Sequence, residues 1–382
     1  MIEIKNPSDC CGCTACASIC RHEAISMEPD DLGFLYPKVD KSKCVDCGLC
    51  DKVCAFNDNY NIEQNFNKPL AYGVRHKSFE EVMRSRSGAA FVAISDLILK
   101  LGGVVYGAGY SDHFRVVHKR AQNSRERDEF RGSKYVQSDM TGVFGQVKKD
   151  LQLGMHVLFS GTPCQNAGLK SFLPRRLQEK LYCIDIVCHA VPSPHIWKEY
   201  LELLEQRYKG KIISVDFRDK NQGWAHKHVE KYVLDNGKEI RRETFTGFFN
   251  SDLDVRYSCN KCHYANINRP SDITLADFWG FEKVVPEMNT DNKGLSLVLV
   301  NTSKGKKLFD GIADVVNSIQ VPIEKCLQPN LCHPTKAKNE EREAFISDYK
   351  SHGIRYVACK YSDWSYFYPF KKFMCKVLKK IM

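Results

Sequence analysis

The chain has 382 residues, of which 43% are hydrophobic and 27% charged, so its composition is that of a globular protein and excludes a disordered one. No apolar run approaches the ~20 residues that a membrane-spanning helix needs. The formal net charge of +10 suits an anionic cofactor, an acidic redox partner or a membrane surface, and no recognised motif accompanies it that would favour nucleic acid.

Two cysteine runs with the same spacing, C-x-x-C-x-x-C-x-x-x-C, lie in the first 54 residues, which hold nine of the 18 cysteines. In such runs the first three thiolates converge on one iron–sulfur cube, and the fourth ligates the cube of the other run. We therefore predict two [4Fe–4S] clusters, the first on Cys10, Cys13, Cys16 and Cys54, and the second on Cys44, Cys47, Cys50 and Cys20.

Zinc is the alternative ligand for paired cysteines, but two complete four-cysteine runs are hard to fit to it. Cys11 is off the pattern and is interpreted as a bystander. Arg21 and Ala55 stand where a proline usually follows the fourth cysteine, which removes no ligand. Many thiols without a secretion signal favour a reducing compartment, so we expect a cytoplasmic protein.

The length allows a small module and one or two larger domains. We predict a ferredoxin-like module with two [4Fe–4S] clusters over residues 1–60 and a polar linker over 61–69. A body follows in two parts, 70–150 and 151–335, and residues 336–382 form a helical tail.

Strand and helix patterns alternate along the body, and this alternation predicts an α/β (α+β) fold with a mixed sheet. Asp235-Asn236-Gly237 predicts the turn of a hairpin. The predicted strands are Val104–Tyr110, Met155–Ser160, Leu181–Val187, Ile212–Phe217, Val229–Leu234, Ile240–Phe245 and Ser296–Asn301. The predicted helices are Phe91–Leu101, Val143–Leu151, Gln165–Leu173, His195–Gln206 and Lys304–Val316.

A strand-to-helix turn, Gly161-Thr162-Pro163-Cys164, is the first candidate site of the body. Such turns bind ligands in α/β proteins, and the free amides at a helix start favour a thiolate or a phosphate. A helix start also lowers the pKa of a cysteine. The alternative is a structural turn with a buried thiol.

Four cysteines of the body are candidates for a third metal site. Cys164 and Cys188 follow neighbouring predicted strands, and Cys259 and Cys262 form a C-x-x-C loop. Together they could hold a third iron–sulfur cluster or a zinc, or they are simply small buried residues. Four histidines are further candidates as ligands or proton donors: His189, His226, His228 and His263.

Two segments, Ser85–Ala89 and Arg131–Gln137, combine small residues, hydroxyls and cations, which suits contact with a pyrophosphate. A dinucleotide fingerprint is absent, because Gly107-Ala108-Gly109 has no third glycine at the required place.

Six ordered segments of the body carry a family resemblance: RSGAAFVAISDLILKLGGVVYGAGYSD, GSKYVQSD, VLFSGTPCQNAGLKSFL, DIVCHAVPSPHIW, SCNKCHYAN and RPSDITLADFWG. They resemble the beta-subunit family of coenzyme F420-reducing hydrogenases and dehydrogenases over residues 70–335. Members of that family are iron–sulfur flavoproteins, so the resemblance implies FAD. It also implies that the residues around the flavin are Ser87, Gly88, Ser133, Lys134, Tyr135, Gln137, Gly161 and Thr162.

This sequence departs from the family at two places. Where the family has serine-glycine-glycine, this sequence has Ser87-Gly88-Ala89. Where the family has Cys-His-Gly, this sequence has Cys188-His189-Ala190. Each change adds a methyl group where the backbone would approach the cofactor.

The combined hypothesis is an iron–sulfur flavoprotein oxidoreductase. Electrons pass between the two N-terminal clusters and FAD, and then to a deazaflavin (coenzyme F420) or another organic acceptor. One alternative is an electron-transfer subunit that has no substrate of its own and docks on a redox partner protein. Another is a reductase acting in polysaccharide biosynthesis. No catalytic residue is assigned.

The C-terminal segment Phe370–Met382 has apolar residues at helical spacing and five lysines outside that stripe. A helix docked on the protein's own core is one interpretation. The other is an interfacial helix that gives peripheral contact with the inner face of a membrane.

Overall fold

The computed structural model describes residues 1–57, 66–220, 223–224, 229–336 and 339–364. Its fold is mixed α/β, as the sequence predicts. The helices described below are α1 Ala15–Ile19, α2 Leu49–Lys52, α3 Phe79–Arg84, α4 Ala90–Lys100, α5 Ser124–Arg127, α6 Val143–Gln152, α7 Pro163–Phe172, α8 Pro194–Tyr208, α9 Thr244–Asn250, α10 Ser303–Asp310 and α11 Asn339–Tyr361.

The strands are β1 Ile25–Pro29, β2 Leu35–Val39, β3 Leu70–His76, β4 Val104–Tyr110, β5 Val116–Ala121, β6 Val157–Gly161, β7 Leu181–Ile186, β8 Ile212–Asp216, β9 Glu230–Leu234, β10 Glu239–Arg242, β11 Ile273–Asp277, β12 Ser296–Val300 and β13 Val316–Val321. They form sheets of two, three and eight strands.

The N-terminal module repeats one unit twice, as the cysteine spacing implies. Each unit contains a short helix, α1 or α2, and the antiparallel pair β1–β2 joins the two units. The residue before each helix, Thr14 or Gly48, has a left-handed backbone with φ near +70°. This turn lets the chain wrap back on itself between the second and third cysteines of each run.

The eight-stranded sheet has the order β13–β3–β12–β11–β7–β6–β4–β5. Four adjacent strands, β11, β7, β6 and β4, are parallel, and the strand pairs on either side of them are antiparallel. The carboxyl ends of these four strands therefore meet at one edge, which is where open α/β sheets bind ligands.

Three predicted elements differ from the structure. The segment Ile212–Phe217 is expected to continue the strand alternation of the main sheet, but β8 joins β9 and β10 in a separate three-stranded sheet. The predicted helix Lys304–Val316 ends at Asp310, and Val316 begins β13, which pairs with β3. The hydrophobic period alone does not separate this short helix from the strand that follows it.

The predicted hairpin is confirmed as β9–β10. Its second strand, predicted over Ile240–Phe245, ends at Arg242, and helix α9 begins at Thr244.

The module and the body share a hydrophobic core. Cys11, Cys13 and Phe56 of the module pack in one cluster with Phe144 and Phe159 of the body. Because this core is continuous, the module is part of the folded body and does not behave as a separately tethered unit.

Residues 61–65 of the predicted linker and the segment Phe370–Met382 lie outside the described residues. None of the described helices is long and apolar enough to cross a membrane. Helix α11 changes direction at Gly353, where φ is +74°.

Candidate functional site: three cysteine groups and a cleft

The four cysteines predicted for the first cluster lie close together. Burial raises the pKa of Cys16, and the thiols of Cys13, Cys10 and Cys54 raise it further. Burial likewise raises the pKa of Cys54 to about 11, with contributions from Cys13 and Cys10. The backbone N–H of Gly12 donates to Sγ of Cys10 at 3.4 Å, and such bonds tune the potential of a bound cluster.

The four cysteines predicted for the second cluster line one small cavity at the outer end of the module. Cys20 enters it from the first run, and Cys44, Cys47 and Cys50 from the second. The N–H of Ile2 donates to Sγ of Cys50 at 3.2 Å. Cys47 is exposed, so this cavity is the part of the module nearest to solvent.

The cysteines of the body form a third group. Burial raises the pKa of Cys188, and the thiols of Cys259, Cys164 and Cys262 raise it further. Burial also raises the pKa of Cys259 to about 12, with contributions from Cys262 and Cys164. Four half-buried thiols thus converge from the start of α7, the end of β7 and one loop. Among the described residues, no three His, Cys, Asp or Glu side chains are arranged to hold a single metal ion.

The first and third groups are adjacent through Cys11. The neighbouring thiols of Cys13 and Cys164, together with burial, raise the pKa of Cys11 well above its usual value, and all three side chains belong to or pack against the shared core. Cys13 is also pressed against α7, because a Cβ at Gly168 would lie only 2.7 Å from Sγ of Cys13. The glycine therefore permits the close approach of the module to α7, whose first turn carries Cys164.

The buried guanidinium of Arg256 joins the module to the body. It donates to the carbonyls of Cys10 at 2.7 Å and Leu35 at 2.9 Å, and to Oε1 of Gln137 at 2.9 Å. Gln137 in turn donates to the carbonyl of Cys11 at 2.9 Å. The cysteine loop is therefore fixed by hydrogen bonds to its backbone oxygens.

A cleft of about 540 Å³ opens at the carboxyl ends of the four parallel strands. That volume lies within the usual range for organic ligands and cofactors. The end of β4, the turn after β6, the end of β7 and the end of β11 form its floor. Cys188 of the third group also lines the cleft, so the cysteines and the cleft share a wall.

One end of the cleft carries several arginines, each paired with a carboxylate. Arg86 pairs with Asp216, and Arg218 with Asp277. Arg131 pairs with Glu81 at 2.6 Å and Asp128 at 2.6 Å. These pairs hold the guanidinium groups in place beside the cavity.

Six of the eight residues that the resemblance assigned to the flavin line this cleft: Ser87, Ser133, Lys134, Tyr135, Gly161 and Thr162. Gly88 and Gln137 are not on its lining. The N–H of Gly88 donates to Oγ of Ser296, and a Cβ there would lie 2.2 Å from the carbonyl oxygen of Val74. Gln137 faces the cysteine loop. Both residues therefore lie behind the residues that line the cleft.

Lys134 lies in the wall, with its ammonium group turned inward. Nζ donates to the carbonyl of Arg131 at 2.8 Å and lies 5.5 Å from the centre of the Tyr110 ring. Burial lowers the pKa of Lys134 to about 7. In this conformation the lysine supports the loop that carries Ser133.

The candidate histidines are separated. Nε2 of His189 lies 2.7 Å from Oδ1 of Asp252 in the cleft wall, and His263 stacks on Phe56 at 4.4 Å. His226 and His228 lie outside the described residues. Sequence reasoning missed His118, which lines the cleft between Oγ of Ser138 at 2.8 Å and the carbonyl of Ser160 at 3.0 Å. It also missed the docking role of Arg256, for which no motif gives a signal.

Comparisons with known proteins identify both parts of the chain. Residues 9–57 match the family described as 4Fe-4S dicluster domain. Residues 154–322 match the family that comprises the C terminus of the beta subunit of coenzyme F420 hydrogenase/dehydrogenase.

Among solved structures, the chain is similar to one from the F420-reducing [NiFe] hydrogenase complex of Methanosarcina barkeri, studied by xenon derivatization. The identity is 15% and the TM-score 0.47, over 76% of this chain and 95% of that one. No curated protein matches the chain. The resemblance read from the sequence is confirmed: the chain joins a segment that matches the 4Fe-4S dicluster domain to a segment that matches the C terminus of the coenzyme F420 hydrogenase/dehydrogenase beta subunit.

Proposed function

We propose that the chain is an iron–sulfur flavoprotein oxidoreductase. In this proposal the two N-terminal cysteine groups and the third group hold [4Fe–4S] clusters, and the cleft holds FAD. The observation that carries the proposal is the position of Cys188, which belongs to the third group and also lines the cleft. Electrons passing along the cysteine groups would arrive at the cleft wall.

The order of the cysteine groups supports one path for electrons, from the second group through the first and third groups to the cleft. The second group lies at the solvent side of the module, and the two runs share ligands through Cys20 and Cys54. The first and third groups are neighbours in the shared core, where Cys164 packs against the cluster that contains Cys13. In this proposal each electron transfer is therefore between adjacent cysteine groups inside one folded body.

The cleft fits a dinucleotide in its chemistry. Arginines at one end would face the two negative charges of a pyrophosphate. The free amides predicted at the start of α7 do not add to these donors, because Thr162 and Gln165 cap each other's backbone N–H groups and Pro163 has none. Phe249, Tyr135 and Trp279 supply flat apolar surface elsewhere in the lining. A bound flavin would exchange single electrons with clusters and electron pairs with an organic compound.

The acceptor we propose is a deazaflavin or another organic compound that reaches the cleft from solvent. A protein redox partner at the exposed second group would supply or remove electrons. The alternative is an electron-transfer subunit, in which the cofactor in the cleft exchanges electrons with a partner protein and no free substrate reacts.

Anaerobic purification of the full chain with iron, sulfide and flavin analysis tests the proposal. We expect about twelve iron ions for three clusters and FAD in the protein. A flavin-free chain with an empty cleft would overturn it.

A steric variant connects the flavin to the cleft. Ser133→Trp should fill the cleft and reduce FAD content, while Ser124→Trp, on the exposed start of α5, should not. Equal FAD in both variants would place the flavin elsewhere. Reduction of a deazaflavin by the purified chain would favour the enzyme, and stable FAD without such turnover would favour the subunit.

A further inference from the structure

Two large apolar side chains of the cleft lining are exposed to solvent. Ile186, the last residue of β7, is 43% exposed, and Trp279, two residues after β11, is 38% exposed. Strands β7 and β11 are parallel neighbours in which Leu275 is paired with Ile186, so both side chains belong to the same edge of the sheet. Exposed apolar surface inside a cleft of ligand size marks a binding surface.

The ring of Trp279 is supported from behind by a second indole. Trp224 stacks on it, with the ring centres 4.6 Å apart and an angle of 14° between the planes. Trp224 is 2% exposed and is not among the residues that line the cleft, so it covers the inner face of Trp279. The N–H of Trp224 donates to the carbonyl of Asn292 at 2.8 Å, and Phe281 packs against its ring. These contacts fix the plane of the Trp279 ring.

The backbone that carries Trp279 is anchored as well. The N–H of Trp279 donates to the carbonyl of Asp277 at 3.0 Å, and the same carbonyl accepts from Nε2 of Gln328 at 2.6 Å. The carboxylate of Asp277 pairs with Arg218, whose guanidinium carbon lies 5.1 Å from the centre of the Trp279 ring. A ligand that binds here therefore meets a surface already in place and bears little cost of ordering it.

The charge beside this surface narrows the kind of ligand. Arg218 and Arg86 both line the cleft, so cations lie in the same cavity as the indole. An aliphatic ligand would gain from the apolar surface alone. A planar heteroaromatic ring that carries a phosphate gains from stacking on the indole and from the cations together.

We propose that Trp279, with Ile186 beside it, is a stacking site for the planar heteroaromatic ring of a phosphate-bearing ligand. The inference rests on the proposed function for the two sources of such a ring, which are the adenine end of FAD and the ring of an organic substrate. Both have the same chemistry at this surface. The site binds and orients the ring, and no covalent step takes place on it.

Three soluble probes measure the contribution of the ring. AMP and FMN each carry a planar ring and a phosphate, whereas ribose 5-phosphate keeps the phosphorylated sugar of AMP and has no ring. Calorimetric titration of the purified full chain gives the affinity for each. We expect Trp279→Ala to weaken ring binding about tenfold, as loss of one stacked aromatic side chain does. Binding of ribose 5-phosphate should not change.

Two further variants test whether the flat surface itself is required. Trp279→Phe keeps an aromatic ring and should retain most of the binding. The matched control is Tyr356→Ala in α11, since Tyr356 is 40% exposed and also has a cation nearby, with Nζ of Lys360 at 5.6 Å from its ring centre. This control should bind every probe as the unaltered chain does. A loss that Trp279→Phe shares in full, or that Tyr356→Ala shares, would overturn the stacking site.

The FAD content of the purified chains separates the two sources. A fall in FAD in Trp279→Ala that Trp279→Phe restores would place the adenine end at this site. Full FAD with weaker binding of added AMP or FMN would place the ring of the substrate there. Unchanged FAD and unchanged affinities in Trp279→Ala would overturn the stacking site and leave the proposed function standing. An unaltered chain without FAD would overturn the proposed function, and a tenfold, ring-dependent loss in Trp279→Ala would still support the stacking site.

Discussion

The guanidinium of Arg256 donates to the backbone carbonyl of Cys10 at 2.7 Å, across the boundary between the iron–sulfur module and the body. The same group reaches the carbonyl of Leu35 and the amide of Gln137. One buried cation thus fixes both the first cysteine loop and the strand β2 that follows it. The distance between the module and the cleft is therefore set by the fold.

Arg256→Met should destabilise the whole chain, because it leaves the partly buried carbonyls of Cys10 and Leu35 and the buried amide oxygen of Gln137 without this donor. We expect a loss of roughly 3–5 kcal/mol in the free energy of unfolding. Denaturant unfolding under anaerobic conditions measures it. The control is Arg115→Met, whose side chain is 64% exposed beside Asp139 and should cost about 1 kcal/mol or less. Equal losses in both variants would remove the docking role of Arg256.

The crossed ligands of the module give a prediction for the two fourth cysteines. Cys54→Ala should damage the cluster of the first run, and Cys20→Ala that of the second, because each thiol lies with the other run. Each cluster can be followed by its paramagnetic resonance signal in the reduced protein. Cys332→Ala, at an exposed position, is the control. Damage confined to the run that contains the replaced cysteine would contradict the crossed assignment.

The third cysteine group should be separable from the module. We expect Cys259→Ala to lower the iron content by about four ions without loss of the two N-terminal clusters. Cys326→Ala removes another buried thiol and should leave the iron unchanged. An unaltered iron content in Cys259→Ala would exclude a cluster at this group.

Lys134→Ala should release FAD and spare the N-terminal clusters. The physical reason lies in the loop, since Nζ of Lys134 holds the carbonyl of Arg131 from inside the cleft wall. Without that bond the segment around Ser133 loses its support. Flavin content after gel filtration measures the effect, with Lys149→Ala on an exposed face of α6 as the control. Full flavin occupancy in Lys134→Ala would mean that the loop does not depend on this lysine.

Asp254 should make stability depend on pH. Burial raises its pKa to about 8, and neither carboxylate oxygen has a hydrogen-bond partner among the described residues. The folded state then holds a proton that the unfolded chain releases above its ordinary pKa of about 4. The stabilisation from this proton is therefore complete at low pH and is lost as the pH rises toward 8.

Asp254→Asn should remove that dependence, which amounts to about 1.4 kcal/mol per pH unit for one proton. The measurement is the slope of unfolding free energy between pH 5 and 8. Asp112→Asn, at an exposed position, should keep the slope of the unaltered chain. A slope unchanged in Asp254→Asn would show that this carboxyl does not titrate in the window.

Much of the fold follows from the sequence because its signals are local. The pattern of β4 predicts the bounds observed, and the patterns of α4 and β7 predict theirs within one residue. The sequence patterns do not predict strands β3 and β13, which pair with each other although they lie far apart in the chain. The assignment of β8 to the main sheet is wrong for the same reason, because periodicity identifies a strand without naming its neighbour.

The cysteine groups can be anticipated from spacing, and the contacts between them cannot. No local sequence pattern indicates that Gly168 leaves room for the side chain of Cys13, or that Arg256 donates to the carbonyl of Cys10. The repeat makes Cys11 a bystander because this residue lies outside it. Its contact with Cys164 depends on how α7 packs against the module, and only the folded chain contains that information.

The shared core has a consequence for how the protein is made in the cell. Cys13 is buried among body residues such as Phe144 and Ala167, so a cluster held at Cys13 and the folding of the body would stabilise one another. A chain synthesised during iron shortage would have unligated thiols at the centre of its interior and a correspondingly weaker body. Proteases act on such weakened chains, so the iron supply would control how much of this protein accumulates.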